Sequence, residues 1–334
     1  MTVFELESML MAMEQDVALY EERNFEARVE AIDRLEYEMI GGSGDSAGDG
    51  LAGEFGGNGR TGDGLAGGDL AAGGLAADER VLLPALRARA EFLRGKFEEI
   101  DEMLFRRLRA EVRVAAASGS LQSFRQTVLD FCDVGVGEEI GYDTLDIFVN
   151  RWLGSQWMPK QTIEMGPEMV CFQKTPARIV FELVEKAGFT DEDIFFDLGS
   201  GLGQVAMLVH LLAGVEGVGI EIEPAFVEYA RERALELGLS RVSFVTTDAR
   251  QADYTQGTVF FLYTPFRGGL LQEVLRVLRR EALDRPIRVI AYGPCIADLT
   301  LQDWLEPVDA NEDVDPYRLK IFRSNLGAAG KQPG

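Results

Sequence analysis

The apolar positions along this chain change their period several times. Over residues 1–40 they recur at three and four, as Leu6, Leu10, Met13, Val17 and Tyr20. They restart one residue late at Phe25, Val29, Ile32 and Met39, and the whole stretch reads as helix. Residues 80–114 carry a more regular a/d seam, Leu83, Leu86, Ala90, Leu93, Phe97, Ile100, Leu104, Leu108 and Val112, with Gly95 as its weak point. Residues 118–175 predict a short helical cap, because LQSFRQTVLDFC and YDTLDIFVNRWL both show helical spacing, interrupted by the GVG at 135–137. Trp152 and Trp157 read there as core or lid residues.

From about residue 176 the period alternates. A helix over 176–187 precedes a strand at 193–198, an apolar helix at 204–214, a strand at 217–222 and a helix at 224–238. Strands follow at 241–246 and 258–263, then a helix at 270–280 and a strand at 287–292. Continuous apolar strands alternating with helices mean a parallel sheet covered on both faces. Ligands of such sheets bind at the carboxyl ends of the strands.

Between the two N-terminal helical stretches the composition shifts. Fifteen of the 37 residues of 41–77 are glycine, and GDGLAG occurs at 48–53 and again at 62–67. Such a stretch buries too little apolar surface to offset its ordering entropy, so it reads as a disordered linker. The flanking helices differ in charge. Residues 1–40 hold three basic and eleven acidic side chains, a balance of −8; residues 80–114 hold nine and six, a balance of +3. Matching seams of opposite charge predict pairing of 1–40 with 78–117, as a hairpin in one chain or a coiled coil between two. The expected organisation is therefore a helical arm (1–40 and 78–117), the linker (41–77), the cap (118–175), an α/β domain (176–326) and a disordered tail (327–334).

Charge and rare residues narrow the chemistry. The 334 residues include 33 Lys plus Arg and 56 Asp plus Glu, a net charge of −23, which disfavours general nucleic-acid binding. No apolar run approaches the ~20 residues of a membrane span. The acidic N-terminus does not read as a signal peptide, so a cytoplasmic protein is expected. Three scattered cysteines exclude a disulfide framework, and a single histidine, His210, excludes His-rich zinc chemistry. His210 and Cys295 read as buried core residues. Arg276, Arg279, Arg280, Arg285 and Arg288 read as a solvated face interleaved with acids, and Arg267 as a surface residue at a helix start.

The chemistry-bearing segment is Asp197-Leu198-Gly199-Ser200-Gly201-Leu202-Gly203-Gln204. It leaves a strand, turns through glycines and opens a helix. The spacing is GxGxG, unlike the GxGxxG dinucleotide fingerprint, and an acid stands two residues before the first glycine. That acid would oppose a pyrophosphate and suit a cationic amino group. Glu221 ends the second strand, where an acid can accept both hydroxyls of a ribose, and Ile222 follows it. Asp248 and Ala249 follow the third strand, where a carboxylate and a backbone amide can read an adenine edge.

Three such features in order at successive strand ends, DLGSGLGQ, GIEIEP and TTDA, followed by a Pro-Phe element, resemble the motif series of class I S-adenosylmethionine-dependent methyltransferases. The resemblance covers about residues 176–324. It implies a Rossmann-like seven-stranded sheet with helices on both faces after the α-helical N-terminal region, its last strand (317–324) antiparallel and 304–309 beside it. It implies that Asp197 with Gly199, Ser200, Gly201, Gly203 and Gln204 meets the methionine part of S-adenosyl-L-methionine, Glu221 the ribose, and Ile222, Asp248 and Ala249 the adenine. The stretch 175–205 is similar to the disruptor-of-telomeric-silencing type of histone-lysine methyltransferase and to uncharacterised bacterial relatives. That likeness places Gln173, Thr175 and Pro176 in a loop folding over the cofactor. The acceptor element here is Tyr263-Thr264-Pro265-Phe266, with tyrosine where the histone enzyme type carries asparagine. Tyr263 becomes the candidate for orienting the acceptor, and Pro265 and Phe266 the wall of its slot. The expectation is methyl transfer to an unidentified protein side chain or small molecule. The alternatives are a non-catalytic cofactor-binding scaffold with a helical partner-binding arm and, in another enzyme class, an NAD(P)-dependent oxidoreductase. The N-terminal helices are the candidate surface for a homodimer or a partner.

Overall fold

The computed structural model describes residues 2–40, 77–118, 123–132, 143–154, 158–309 and 315–326. The expectations for the glycine-rich stretch, for the GVG at 135–137, for Trp157 and for the C-terminal tail fall outside these residues. The chain divides into two compact units, one of residues 1–107 with 130–132 and one of 108–129 with 133–334.

The first unit is helical, and its first stretch is two helices where the spacing predicts one. Helix α1 spans Val3–Gln15 and α2 spans Phe25–Ile40, with a 3-10 turn at Val17–Tyr20 between them. Thr2 and Glu5 close a capping box at the start of α1. The late restart at Phe25 marks the break, since a one-residue slip cannot be absorbed while one face stays buried. The backbone freed there is satisfied by Arg28, which is fully buried. Its guanidinium donates to the carbonyls of Leu19, Glu21 and Glu22 and pairs with buried Asp101 at 2.6 Å. Helix α3 spans Ala77–Ser118 and runs through Gly95 without interruption. Leu6, Leu10, Met13 and Leu35 form one core with Leu86, Ala90, Leu93 and Phe97, so the two seams meet within a single chain. Ion pairs Glu14–Arg89, Glu22–Arg107 and Glu36–Arg94 flank that core.

The second unit is α/β. Helices α4 (Ser123–Leu129) and α5 (Thr144–Leu153) are the helical part of the expected cap. Residues 158–176 contain no helix; they form an extended strap, which corrects the helical reading there. Trp152 is buried and stacks on Phe124 at 4.3 Å, a core role. Then follow α6 (Ala177–Ala187), β1 (Ile194–Leu198), α7 (Gln204–Ala213), β2 (Glu216–Glu221), α8 (Pro224–Glu236), β3 (Val242–Thr246), β4 (Val259–Tyr263), α9 (Gly268–Asp284), β5 (Arg288–Tyr292), α10 (Ile296–Thr300), β6 (Leu305–Pro307) and β7 (Lys320–Ser324).

The strands form a seven-stranded sheet in the order β3-β2-β1-β4-β5-β7-β6, with β7 antiparallel to both neighbours. The central strand β1 pairs with β2 on one side and β4 on the other, setting Asp197 against Gly219 and Phe261. The chain runs outward from β1 to β3 and then returns to β4. The strand order therefore reverses between β1 and β4, and their carboxyl ends flank the crevice where such sheets bind ligands. Core packing under β1 and β4 comes from Phe196, Tyr254 and Phe260 on one face and Phe195 and Phe261 on the other. No helix among the described residues is long and apolar enough to cross a membrane.

Candidate active site at the carboxyl ends of the sheet

Asp197 is the fourth residue of β1 and is buried. Its Oδ2 has no hydrogen-bond partner. Desolvation, with the charge of Glu221 adding to it, pushes its pKa up to about 8. The glycine loop that follows is pinned to β2, because Gly199 and Ser200 both donate to the Ile220 carbonyl at 2.8 and 3.0 Å. Gly199, Gly201 and Gly203 all take positive φ, at 81°, 51° and 80°. Space adds a second demand at all three. A Cβ on Gly199 would collide with Pro265, one on Gly201 with the Phe172 ring and one on Gly203 with Phe244 and Ala230. Gly201 is thus closed over by the strap, a contact that sequence reasoning assigns to the ligand.

Ser200 and Gln204 stand beside Asp197 in this stretch. Both are buried, and Ser200 Oγ and both amide atoms of Gln204 have no partner. Buried polar groups are normally satisfied, so four orphan atoms within eight residues fit a polar ligand at this loop. A ligand with a cationic amino group matches the Asp197 carboxylate, and the methionine end of S-adenosylmethionine has that chemistry.

Glu221 ends β2 and is spent partly on the backbone. Its Oε2 accepts from Gly201 N–H at 2.9 Å, and its Oε1 from the N–H groups of Ile222 and Glu223 at 2.8 and 2.9 Å. It braces the glycine loop while half-exposed Ile222 follows it. Asp248 departs from the expectation. Its carboxylate pairs with Arg250 at 2.6 Å and accepts that residue's own N–H, so the guanidinium occupies the acceptor proposed for adenine. Arg250 also reaches Glu273. Ala249 is buried next to it, with its carbonyl taken by the Tyr254 hydroxyl at 2.7 Å.

The acceptor element lies where β4 ends. Tyr263 sits opposite Tyr292 of β5, their rings 5.0 Å apart, and its hydroxyl lies 3.4 Å from Gln173 Oε1 in the strap. Burial raises the pKa of Tyr263. Thr264 takes φ 38°, a left-handed conformation that a β-branched residue rarely adopts. Its hydroxyl donates to the Tyr292 carbonyl at 3.2 Å and accepts from Cys295 N–H at 3.1 Å, which holds that conformation. The Pro265 carbonyl accepts from Val170 N–H at 3.2 Å, and buried Phe266 bridges to Met169. Thr175 is buried just before α6, whose N-cap is Pro176.

Two acids that sequence reasoning did not single out tie the strap down. Glu223 accepts from Thr162 N–H and Oγ1–H and from Ile163 N–H while capping α8. Glu168 accepts from Gly269 and Leu270 at the start of α9. The Glu-Pro pair at 223–224 is the legible signal for the first, as an N-cap before a proline at N1. Nothing local marks the second.

The remaining candidates have structural roles. His210 is buried in α7 and donates from Nδ1 to the Val215 carbonyl at 2.7 Å. Cys295 is buried and Arg267 exposed. Arg285 and Arg288 are not a solvated face: Arg285 donates to the Tyr254 and Gly257 carbonyls, and Arg288 to those of Ala187 and Gly188.

Residues 171–264 match a family described as histone methylation protein DOT1. Solved structures are similar to part of the chain. An RNA methyltransferase from Salinibacter ruber in complex with S-adenosyl-L-homocysteine is 27% identical over 48% of this chain and 97% of its own, with a TM-score of 0.36. A methyltransferase from Geobacter sulfurreducens, also with S-adenosyl-L-homocysteine, is 24% identical over 36% and 50%, with a TM-score of 0.30. One from Aquifex aeolicus is 19% identical over 45% and 92%, with a TM-score of 0.35. The strand order and the acid-led glycine loop on β1 give an α/β methyltransferase-like fold, and residues 171–264 within it are similar to the histone methylation protein DOT1.

Proposed function

We propose that this protein binds S-adenosylmethionine and transfers its methyl group to an acceptor, either a protein side chain or a small molecule. The observation that carries the reading is the unpartnered, buried Asp197 carboxylate at the end of the central strand, beside a glycine loop. A cationic amino group offsets the desolvation of that carboxylate, whereas the pyrophosphate of a nicotinamide dinucleotide would be repelled by it.

When bound, S-adenosylmethionine supplies a methyl already activated on a sulfonium. The chain is left to bind, orient and exclude water. Asp197 holds the amino end of the ligand, and Ser200 and Gln204 offer the buried polar atoms next to it. Glu221 keeps the loop in shape through Gly201 and has one lone pair, on Oε2, left for a ribose hydroxyl. Ile222 and Ala249 remain for the adenine, because Arg250 holds Asp248. Tyr263 orients the acceptor, and Phe266 with Pro265 walls it. A base is required only for an acceptor that arrives protonated.

Calorimetric titration with S-adenosylmethionine and S-adenosylhomocysteine, with NADH as control, tests this reading. Micromolar binding of both sulfur nucleotides and none of NADH is expected. Binding of NADH alone, or of none of the three, would overturn it. Incubation with methyl-labelled cofactor and fractionated cell extract then separates protein acceptors from small ones.

A further inference from the structure

The a/d seam of α3 from Leu83 to Ile100 packs against α1 and α2, but the helix carries a second apolar stripe on its far side. Val81, Phe92, Met103 and Val114 recur every eleven residues, close to three helical turns, so they share one face. Each is more than half exposed. Ala85, Ala88 and Ala110 lie on the same face and are exposed as well. At ~100° per residue this face stands roughly opposite Leu86, Ala90, Leu93 and Phe97. In the middle of the stripe sit Lys96 and Glu99, also exposed, with Lys96 Nζ folded over the Phe92 ring at 4.7 Å.

The stripe is chemically palindromic about a point between Phe97 and Glu98. Reading outward in both directions, Lys96 corresponds to Glu99, Phe92 to Met103, Ala88 to Arg107, Ala85 to Ala110 and Val81 to Val114. A two-fold axis requires that residue i meets residue j while j meets i, so such an order suits a second copy of the same helix running antiparallel. In that register Phe92 meets Met103, Ala85 meets Ala110 and Val81 meets Val114, while Ala88 lies beside the stem of Arg107. The central lysine of each copy meets the glutamate of the other, two pairs of opposite charge related by the axis. The parallel alternative would set Lys96 against Lys96 and Glu99 against Glu99.

We propose that this face of α3 is a homodimer interface, in which two copies pack antiparallel with Phe92 against Met103 and Lys96 against Glu99 of the opposite protomer. The stripe from Val81 to Val114 spans ~50 Å of helix at 1.5 Å per residue, long enough for a coiled-coil contact.

Sedimentation equilibrium of the full chain over a range of concentrations tests the interface. A reversible dimer is expected. Lys96→Glu and Glu99→Lys, each alone, set like charges together twice and should weaken dimerisation by about tenfold. The double swap Lys96→Glu/Glu99→Lys should return it to within about threefold of the starting affinity, because the pairs are rebuilt with reversed sign. Phe92→Asp with Met103→Asp should give a monomer of unchanged helicity by circular dichroism. A chain that is monomeric at every concentration, or a dimer indifferent to these swaps, would overturn the proposal. Failure of the double swap to rescue a disrupted dimer would overturn the antiparallel register.

Discussion

Asp193 and Asp197 stand four residues apart at the two ends of β1, and the fold treats them in opposite ways. Asp193 accepts from Thr190 N–H at 2.7 Å and from the Thr258 hydroxyl at 2.7 Å, and it pairs with Arg288 at 2.5 Å. Burial alone would raise its pKa, but Arg288, Thr258 and Thr190 outweigh that and hold it at about 2. Asp197 has no donor on Oδ2 and is pushed to about 8. One acid fastens the amino end of the sheet; the other is left unpaired at the end where ligands bind.

The unpaired acid makes cofactor binding depend on pH. Below pH 8 Asp197 holds a proton that a cationic amino group must displace. Affinity for S-adenosylhomocysteine should therefore rise from pH 6 to pH 8, with proton release seen as a buffer-dependent binding enthalpy. Asp197→Asn should flatten that dependence and weaken binding at pH 8 by about 1.5–3 kcal/mol, the usual worth of a hydrogen bond to a charged group.

The same acid should cost the free protein stability at high pH. Its folded pKa lies above its unfolded value, so the unligated fold is at its best below pH 4 on this account and loses stability as pH rises toward 8. Melting at pH 8 without ligand should show Asp197→Asn more stable than the parent by roughly 1–3 kcal/mol, and the difference should vanish near pH 4. A less stable variant at both values would mean that Asp197 is paired.

Asp193 should show the reverse sign. Its depressed pKa contributes stability above about pH 4, which is lost as pH falls toward 2. Asp193→Asn should lower stability near pH 7 by about 2 kcal/mol, a figure set by a shift of nearly two pKa units. Binding of S-adenosylhomocysteine, at the far end of the strand, should stay within about twofold of the parent as an independent site.

Gly201 should tolerate no side chain while Phe172 covers it. Gly201→Ala should destabilise the fold by roughly 1–3 kcal/mol, through a left-handed φ and the collision with Phe172. Adding Phe172→Ala should return part of that loss, since it removes the collision and leaves the φ cost. Additive losses in the double variant would place the strap elsewhere.

Glu221→Ala should weaken S-adenosylmethionine binding by about 1–3 kcal/mol, because it releases Gly201 N–H as well as the ribose acceptor. Unchanged affinity in calorimetry would remove Glu221 from the site.

Periodicity along the chain is a local property, and the elements built from it were legible. The alternation from residue 176 onward already implies a covered parallel sheet, and the crossovers of that sheet carry the acid-led glycine loop to a strand end. Strand-end acids such as Asp197 and Glu221 are marked by turn chemistry a few residues away. The break between α1 and α2 left its trace as a one-residue slip before Phe25, although the slip does not reveal that Arg28 fills the gap.

Partnership between side chains follows a different logic. Thr258 reaches Asp193 across 65 residues, Glu168 reaches Gly269 across 101, and Glu223 reaches Thr162 across 61. Whether an acid is paired, as Asp193 is, or orphaned, as Asp197 is, depends on which distant segment packs beside it. No spacing rule encodes that. The composition and order of residues determined the fold class and the candidate cofactor loop, because both arise from short-range backbone and burial preferences. The folded chain alone decided which charges are neutralised, which segment closes over Gly201 and which face of α3 is left uncovered, because those outcomes depend on contacts between residues far apart in sequence.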